Sequence, residues 1–202
     1  MQAWTDLEFD VLETVTRRIK VMTDEQLTQA LAVDAGSDRT AIERLLRAAL
    51  VLTTTINARP LPKSPFVVWE SGTDSPDFDP VWRRVREQCH QDSLPTRVYW
   101  AAPQTANLFG VKGGTLSSIS ERNNDLRLAE AYVRHRARAD HTIWLNAMVA
   151  NKRYTTSIPA DAAIVGTDGV LQRVIVIARG DSQRLRDFHA ACVRSGLAYE
   201  VW

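Results

Sequence analysis

The sequence is poor in the features that announce an enzyme or a membrane protein. It has two cysteines, Cys89 and Cys192, in 202 residues. They lack the spacing of a metal site and read as reduced thiols of a cytoplasmic protein. No apolar run approaches the roughly 20 residues that a membrane helix needs, so no membrane partner is expected. The first ten residues, MQAWTDLEFD, carry acids rather than a basic stretch before an apolar run, and no signal peptide is expected. No glycine-rich phosphate loop is present: Gly113-Gly114 lacks the lysine and spacing of one. No Ser/His/Asp or Cys/His arrangement is legible, and neither a cofactor nor a metal is expected. An excess of one charge is also missing, with a net charge of +1. What remains, 45% hydrophobic and 24% charged residues, is ordinary for a globular protein. The length allows one large domain or two small ones.

Charge is unevenly spread. Residues 1–50 hold six Lys/Arg and nine Asp/Glu, whereas residues 93–202 hold fourteen and nine. A nucleic-acid partner for the first segment therefore requires its acids to lie away from the binding face.

Helical periodicity starts early. Leu7, Val11, Val15, Ile19 and Met22 predict an amphipathic helix from about Asp6 to Val21. Thr23 and Gln26 form a capping-box pattern before Leu27, Ala30 and Leu31. Asp34-Ala35-Gly36 predicts a break, because glycine accepts the left-handed conformation of a tight turn. Ser37 or Asp38 then caps a third helix, with Thr40 and Glu43 offering another capping box. Ile42, Leu45, Leu46, Ala49 and Leu50 form its buried face and leave Arg39, Thr40, Arg44 and Arg47 outside. Two helices around a short glycine turn make a helix-turn-helix candidate. Val51 to Asn57 and Phe66 to Trp69 read as strands around a loop with three prolines, Arg59 and Lys63, which is the pattern of a wing. The expectation is a winged helix-turn-helix over residues 1–72, its third helix in the major groove of double-stranded DNA and its wing on the backbone. A winged helix used only for protein contacts stands beside it. For each arginine a solvated helix face is the alternative.

Residues 71–80, SGTDSPDFDP, read as a linker. Asp79-Pro80 is expected to start a helix. Beyond it come a strand at Arg97–Ala102, a short helix ending at Gly110, and a long helix capped by Ser120 and running to about Ala139. Ile143 to Val149 is apolar, and periodicity leaves strand and helix both open. Ala160–Val165 and Arg173–Ala178 read as strands around a Thr167-Asp168-Gly169 turn. Asp181 or Ser182 caps a helix ended by Gly196, and Ala198–Trp202 is a closing strand. The expected fold class is α+β, with residues 79–202 forming an α/β domain around a mixed sheet.

This order, with R-L-L-R-A-A-L-V, V-V-W-E-S-G-T-D-S-P, N-D-L-R-L-A-E-A-Y, I-P-A-D-A-A-I-V, R-L-R-D-F-H-A-A-C and A-Y-E-V-W, resembles the plasmid replication-relaxation proteins. They pair an amino-terminal winged helix with a domain like the PD-(D/E)XK nucleases. The resemblance implies two carboxylates on adjacent strands that hold Mg²⁺, with a lysine nearby. Asp161 stands at the first acid. The second acid and the lysine fall at Ile177 and Arg179, with Ala178 between them. The Trp-x-x-Glu element of similar proteins falls at Trp144 and Ala147, and a histidine ahead of the long helix's Asp-Leu pair falls at Asn124. One carboxylate is not a two-acid site, and Asp168 and Asp181 read as turn and cap residues. The expected second domain is a nuclease-like scaffold that does not cut. It serves dimerisation, DNA-backbone contact through Arg127, Arg134, Arg136, Arg138, Lys152 and Arg153, or both. Trp144, Tyr199 and Trp202 are expected in the core and His189 packed or exposed on its helix.

The functional expectation is a homodimeric, sequence-specific DNA-binding regulator of transcription or of mobile-element replication. Two alternatives remain: a Mg²⁺-dependent endonuclease or nicking protein whose second acid has migrated, to Glu130 or Asp140, and a protein-interaction adaptor.

Overall fold

The computed structural model describes residues 4–31, 35–111, 113–138, 142–154 and 158–202. The chain is α+β and divides into two compact units, each built from two separate segments. The first takes residues 1–58 and 93–139, the second residues 59–92 and 140–202. The boundary expected at 72–79 thus falls inside the second unit.

The first unit opens with α1 (Asp6–Glu13), capped by Thr5 in a reciprocal box with Glu8. The periodicity predicted one helix to Val21. Instead Thr14–Arg18 forms a π-helical turn, and Ile19 (φ −141°, ψ 166°) is extended. Val11, Leu12, Val15 and Ile19 stay buried, so the apolar stripe is kept although the helix ends. β1 (Met22–Thr23) leads into α2 (Asp24–Leu31), where the Thr23–Gln26 box forms in both directions.

Helix α3 covers Ala35–Arg47. The backbone is helical at Gly36, where a break was expected; a helix tolerates glycine at a cost of about 1 kcal/mol. Asp34 and the side chains of Ser37 and Asp38 lie outside the described residues. Thr40 and Glu43 sit inside the helix and form no cap. α3 ends in a Schellman arrangement: Leu50 N–H bonds Leu45 O and Ala49 N–H bonds Leu46 O, both at 3.0 Å. Ala49 occupies the left-handed position, φ 52°, which glycine normally takes.

β2 (Val51–Ala58) pairs antiparallel with β4 (Leu94–Ala101) from Val51↔Ala101 to Ala58↔Leu94. β1 pairs with the other edge of β4, giving the order β1-β4-β2. The expected wing is corrected here. The strand at residues 67–69 does not return to β2; it belongs to the other sheet. A run of alternating apolar residues marks a strand without naming its partner, and the better partner lies beyond residue 93. α5 (Pro103–Leu108) and α6 (Ile119–Ala137) complete the unit.

The second unit contains β3 (Val67–Trp69) and α4 (Phe78–Cys89). Asp77, not Asp79, caps α4, accepting from Asp79 N–H at 3.0 Å. The ambiguous 143–149 run resolves into both candidates, β5 (Thr142–Asn146) and α7 (Ala147–Arg153). Asn146 makes the switch, its side chain accepting from Val149 N–H at 3.0 Å. β6 (Ala162–Gly166), β7 (Leu171–Val176), α8 (Ser182–Ser195) and β8 (Ala198–Val201) follow. The sheet order is β3-β8-β7-β6-β5, with β7 and β8 parallel across α8 and the other pairs antiparallel. Asp168 closes the β6–β7 turn by accepting from Val170 N–H, and Asp181 caps α8 by accepting from Arg184 N–H. Gly196 (φ 63°) ends α8.

One face of this sheet packs with α4 and α8 through Val67, Trp69, Val174, Tyr199, Leu185 and Phe188. Each such aliphatic or phenyl side chain contributes about 1.5–3 kcal/mol by leaving water. Trp144, Tyr199 and Trp202 are buried as expected. Among the described residues, no helix is long and apolar enough to cross a membrane.

Candidate nucleic-acid interface and remnant carboxylate site

Helix α3 carries the first set of expected DNA contacts. Arg39, Thr40 and Arg47 are exposed. Arg47 lies 3.6 Å from Glu43 one turn back, so the face carries a carboxylate as well as cations. Arg44 is differently placed. Its Nε stands 3.2 Å from the buried carboxylate of Glu8 on α1. Glu8 would be uncompensated without it, so Arg44 anchors α3 to α1 rather than standing free for a phosphate.

The β2–β4 hairpin brings forward residues that the sequence reading missed. Thr54, Thr55, Asn57 and Arg97 are exposed on it. Arg97 donates to Thr53 Oγ1 at 3.3 Å, and its guanidinium lies 5.4 Å from the centre of the Tyr99 ring. Tyr99 donates to Asp24 Oδ1 at 2.7 Å, tying β4 to the start of α2. Its hydroxyl is pushed up to about 12, first by burial and then by the Asp24 carboxylate, with Arg97 and Arg39 pulling the other way. The signal was present in the strand-like runs on both sides of residues 59–93. Their pairing was not.

Arg59 and Lys63, expected on the wing loop, belong to the second unit. Lys63 is exposed and Arg59 half-buried. Lys152 and Arg153 are exposed at the end of α7, where Arg153 lies over the Tyr154 ring at 5.6 Å.

The arginines of α6 divide by environment. Arg127 is buried, contrary to its expected surface role. Arg136 grips Asp10 with both terminal nitrogens, at 3.2 and 2.6 Å, and donates to Tyr132 Oη at 3.0 Å. Burial opposes its charge, but these hydrogen bonds outweigh burial and hold the guanidinium above its ordinary range. Arg18 joins the same cluster through Tyr132 and Glu13. Arg136 therefore fastens α1 to α6. Arg134 is exposed but 2.9 Å from Glu130, and Arg138 is exposed.

In the second unit, positions far apart in sequence converge on Asp161. It precedes β6, and its N–H donates to Ile175 O at 2.8 Å. Its Oδ2 accepts from Ile177 N–H at 2.8 Å and its Oδ1 from Arg179 Nη2 at 2.8 Å. Its carbonyl accepts from Ala147 N–H at 3.1 Å. Adjacency of β6 and β7 thus places Asp161, Ile177, Arg179 and Ala147 together. Both carboxylate oxygens are engaged, one by a fixed cation, and the Ile177 side chain has no atom that could ligate a metal. Among the described residues, no group of three or more His, Cys, Asp or Glu side chains could hold a metal ion.

Glu130, one expected migrated acid, lies on α6 in the first unit and accepts from Gln26 at 3.1 Å and Arg134 at 2.9 Å. Asp140, the other, lies outside the described residues. Asn124 is on α6 and donates to Glu121 at 3.2 Å. His189 is packed between Ser75 Oγ at 3.0 Å and Tyr199 Oη at 2.9 Å, and burial lowers its basicity.

Comparisons with known protein families, with characterised proteins and with solved structures find no match to this chain.

Proposed function

We propose that the protein is a homodimeric double-stranded-DNA-binding regulator, acting in transcription or in replication of a plasmid or other mobile element. In this reading the first unit is a winged helix-turn-helix and the second a nuclease-like scaffold that does not cut. The observation that carries it is the sequence of α2, α3 and an antiparallel hairpin on the sheet β1-β4-β2. Arg39, Thr40 and Arg47 are exposed on the helix, and Thr54, Thr55, Asn57 and Arg97 on the hairpin. A helix of this kind fits a major groove, and threonine, asparagine and arginine are suited to base edges and phosphates. The wing is then β2–β4, with residues 59–92 of the second unit carried in its loop. The scaffold reading is supported by the gathering of Asp161, Ile177, Arg179 and Ala147, the positions that the resemblance to replication-relaxation proteins singles out.

The test is fluorescence anisotropy of labelled duplexes tiled across the gene's own upstream region, at low and physiological salt without metal. Tight binding to one tile, falling steeply with salt as counterions are released, supports the reading. Equal weak binding to every tile rejects sequence-specific recognition. Metal-dependent cleavage that survives Asp161→Ala rejects a site built on that carboxylate. Cleavage lost in that variant rejects the inert scaffold.

A further inference from the structure

A cavity of about 300 Å³ opens in the first unit beside the π-helical turn. Its volume is at the small end of the range for sites that take small molecules. Val15, Ala101, Ala106 and Val111 give it an apolar wall, and Thr16, Lys20, Thr115 and Ser117 a polar lip. Lys20 is the single charged side chain among the described lining residues, and it has no ion-pair partner among the described residues. The surroundings therefore favour one negative charge at the lip and an uncharged body inside.

Two features keep the space open. The first is the π-helical turn Thr14–Arg18, which places Val15 and Thr16 along the cavity. Such widened turns are rare and often occur at functional sites. The second is Gly113-Gly114. Gly114 has φ 89°, and a Cβ there would meet Pro103 Cα at 2.3 Å, so only glycine lets this loop lie against the start of α5. A Cβ at Gly113 would stand 3.6 Å from Ala106 Cβ, in ordinary contact with the cavity wall.

We propose that this cavity is a binding site for a small organic monoanion, a carboxylate with a compact apolar or aromatic body. The carboxylate pairs with Lys20 and the hydroxyls of Thr115 and Ser117, Thr16 already donating to Leu12 O at 2.6 Å, and the body replaces water against the apolar wall. The floor of the site connects to α3. Ala102 N–H and Thr105 Oγ1 both donate to Leu50 O, at 2.9 and 2.7 Å, and Gln104 donates to Ala49 O at 2.6 Å. Occupancy therefore acts first on the turn that ends α3.

The experiment is backbone amide NMR of the full chain titrated with benzoate, with neutral benzamide and with inorganic phosphate. Benzoate is expected to shift the amides of Thr16, Gly113 and Gly114, and then those of Ala49 and Leu50. Its dissociation constant should be about two- to fivefold lower than that of benzamide, as one exposed charge contact implies. Lys20→Ala should erase that preference, and Gly113→Val should block the site while leaving other amide positions unchanged. Equal binding of benzoate and benzamide, or binding unaffected by both variants, overturns the proposal. Phosphate acting as strongly as benzoate overturns the need for an apolar body. These readouts use no DNA, so they stand or fall separately from the DNA-binding reading.

Discussion

Ala49 is the only described non-glycine residue with positive φ, and replacing it with glycine should stabilise the first unit. An L-residue with a Cβ costs about 1–2 kcal/mol in the left-handed region. Glycine returns about 0.5–1 kcal/mol of that through the greater freedom of the unfolded chain. Ala49 is exposed, so its methyl group gives up little burial. The net gain for Ala49→Gly is therefore about 0.5–1 kcal/mol, or about 1–4 °C in melting temperature for a chain of this size. Ala48 supplies the control one residue away. Its N–H closes the last turn onto Arg44 O at 2.9 Å and its φ is not positive. Ala48→Gly should cost about 0.5 kcal/mol. Hydrogen exchange at the amides of α3 and β2 reads the first unit directly, and calorimetry gives the melting shift. Opposite signs at the two neighbours support the cap assignment. Loss of stability in both, by similar amounts, would refute it.

Other expectations concern binding, acidity and reactivity. Arg39→Ala and Arg47→Ala should each weaken DNA binding and reduce its salt slope by about one unit if each meets a phosphate, whereas Arg44→Ala should lower thermal stability by stranding buried Glu8; anisotropy and melting curves separate the two effects. Because the folded state lowers the basicity of His189, the unfolded chain binds the extra proton. The contribution of His189 is then present above its ordinary value of 6.5 and lost as pH falls below it. His189→Gln should flatten that acid limb of the stability–pH curve. Cys192 is fully buried and its thiol is pushed up to about 12 by burial, while Cys89 is half-buried. Iodoacetamide should label Cys89 in the native protein and Cys192 only after unfolding, which mass spectrometry will show; equal labelling of both contradicts the packing of α8.

Many local signals were legible, although the Gly36 break and the Thr40–Glu43 box did not form. The Thr23–Gln26 box, the Asp168 turn, the Asp181 cap and the Gly196 stop all rest on contacts within a few residues. Signals that depend on distant partners were not legible. Val67–Trp69 announced a strand, but its pairing with Tyr199–Val201 cannot be read from either segment alone. The same holds for Arg127 and Arg136. Their spacing on α6 resembles that of any solvated helix face, and burial or Asp10 on another helix decides their roles. The candidate site divides in the same way. Asp161, Ile177 and Arg179 were singled out by the resemblance to replication-relaxation proteins, whereas Arg97 and Thr54 needed the β2–β4 pairing.

The interleaving of the two units governs how the chain can be divided or assembled. β2 is made long before β4, and it must wait as an unpaired edge while residues 59–93 are synthesised. β8 follows β3 and β7 in the chain, yet it lies between them, so the second sheet closes only after residues 198–201 have been made. A gene cut at residues 72–79, where composition suggests a linker, would separate β2 from β4 and β3 from β8 in one stroke. Neither fragment would hold a complete unit. Proteolysis there should leave the two pieces associated, and expressing them apart should give two chains that fold only on meeting.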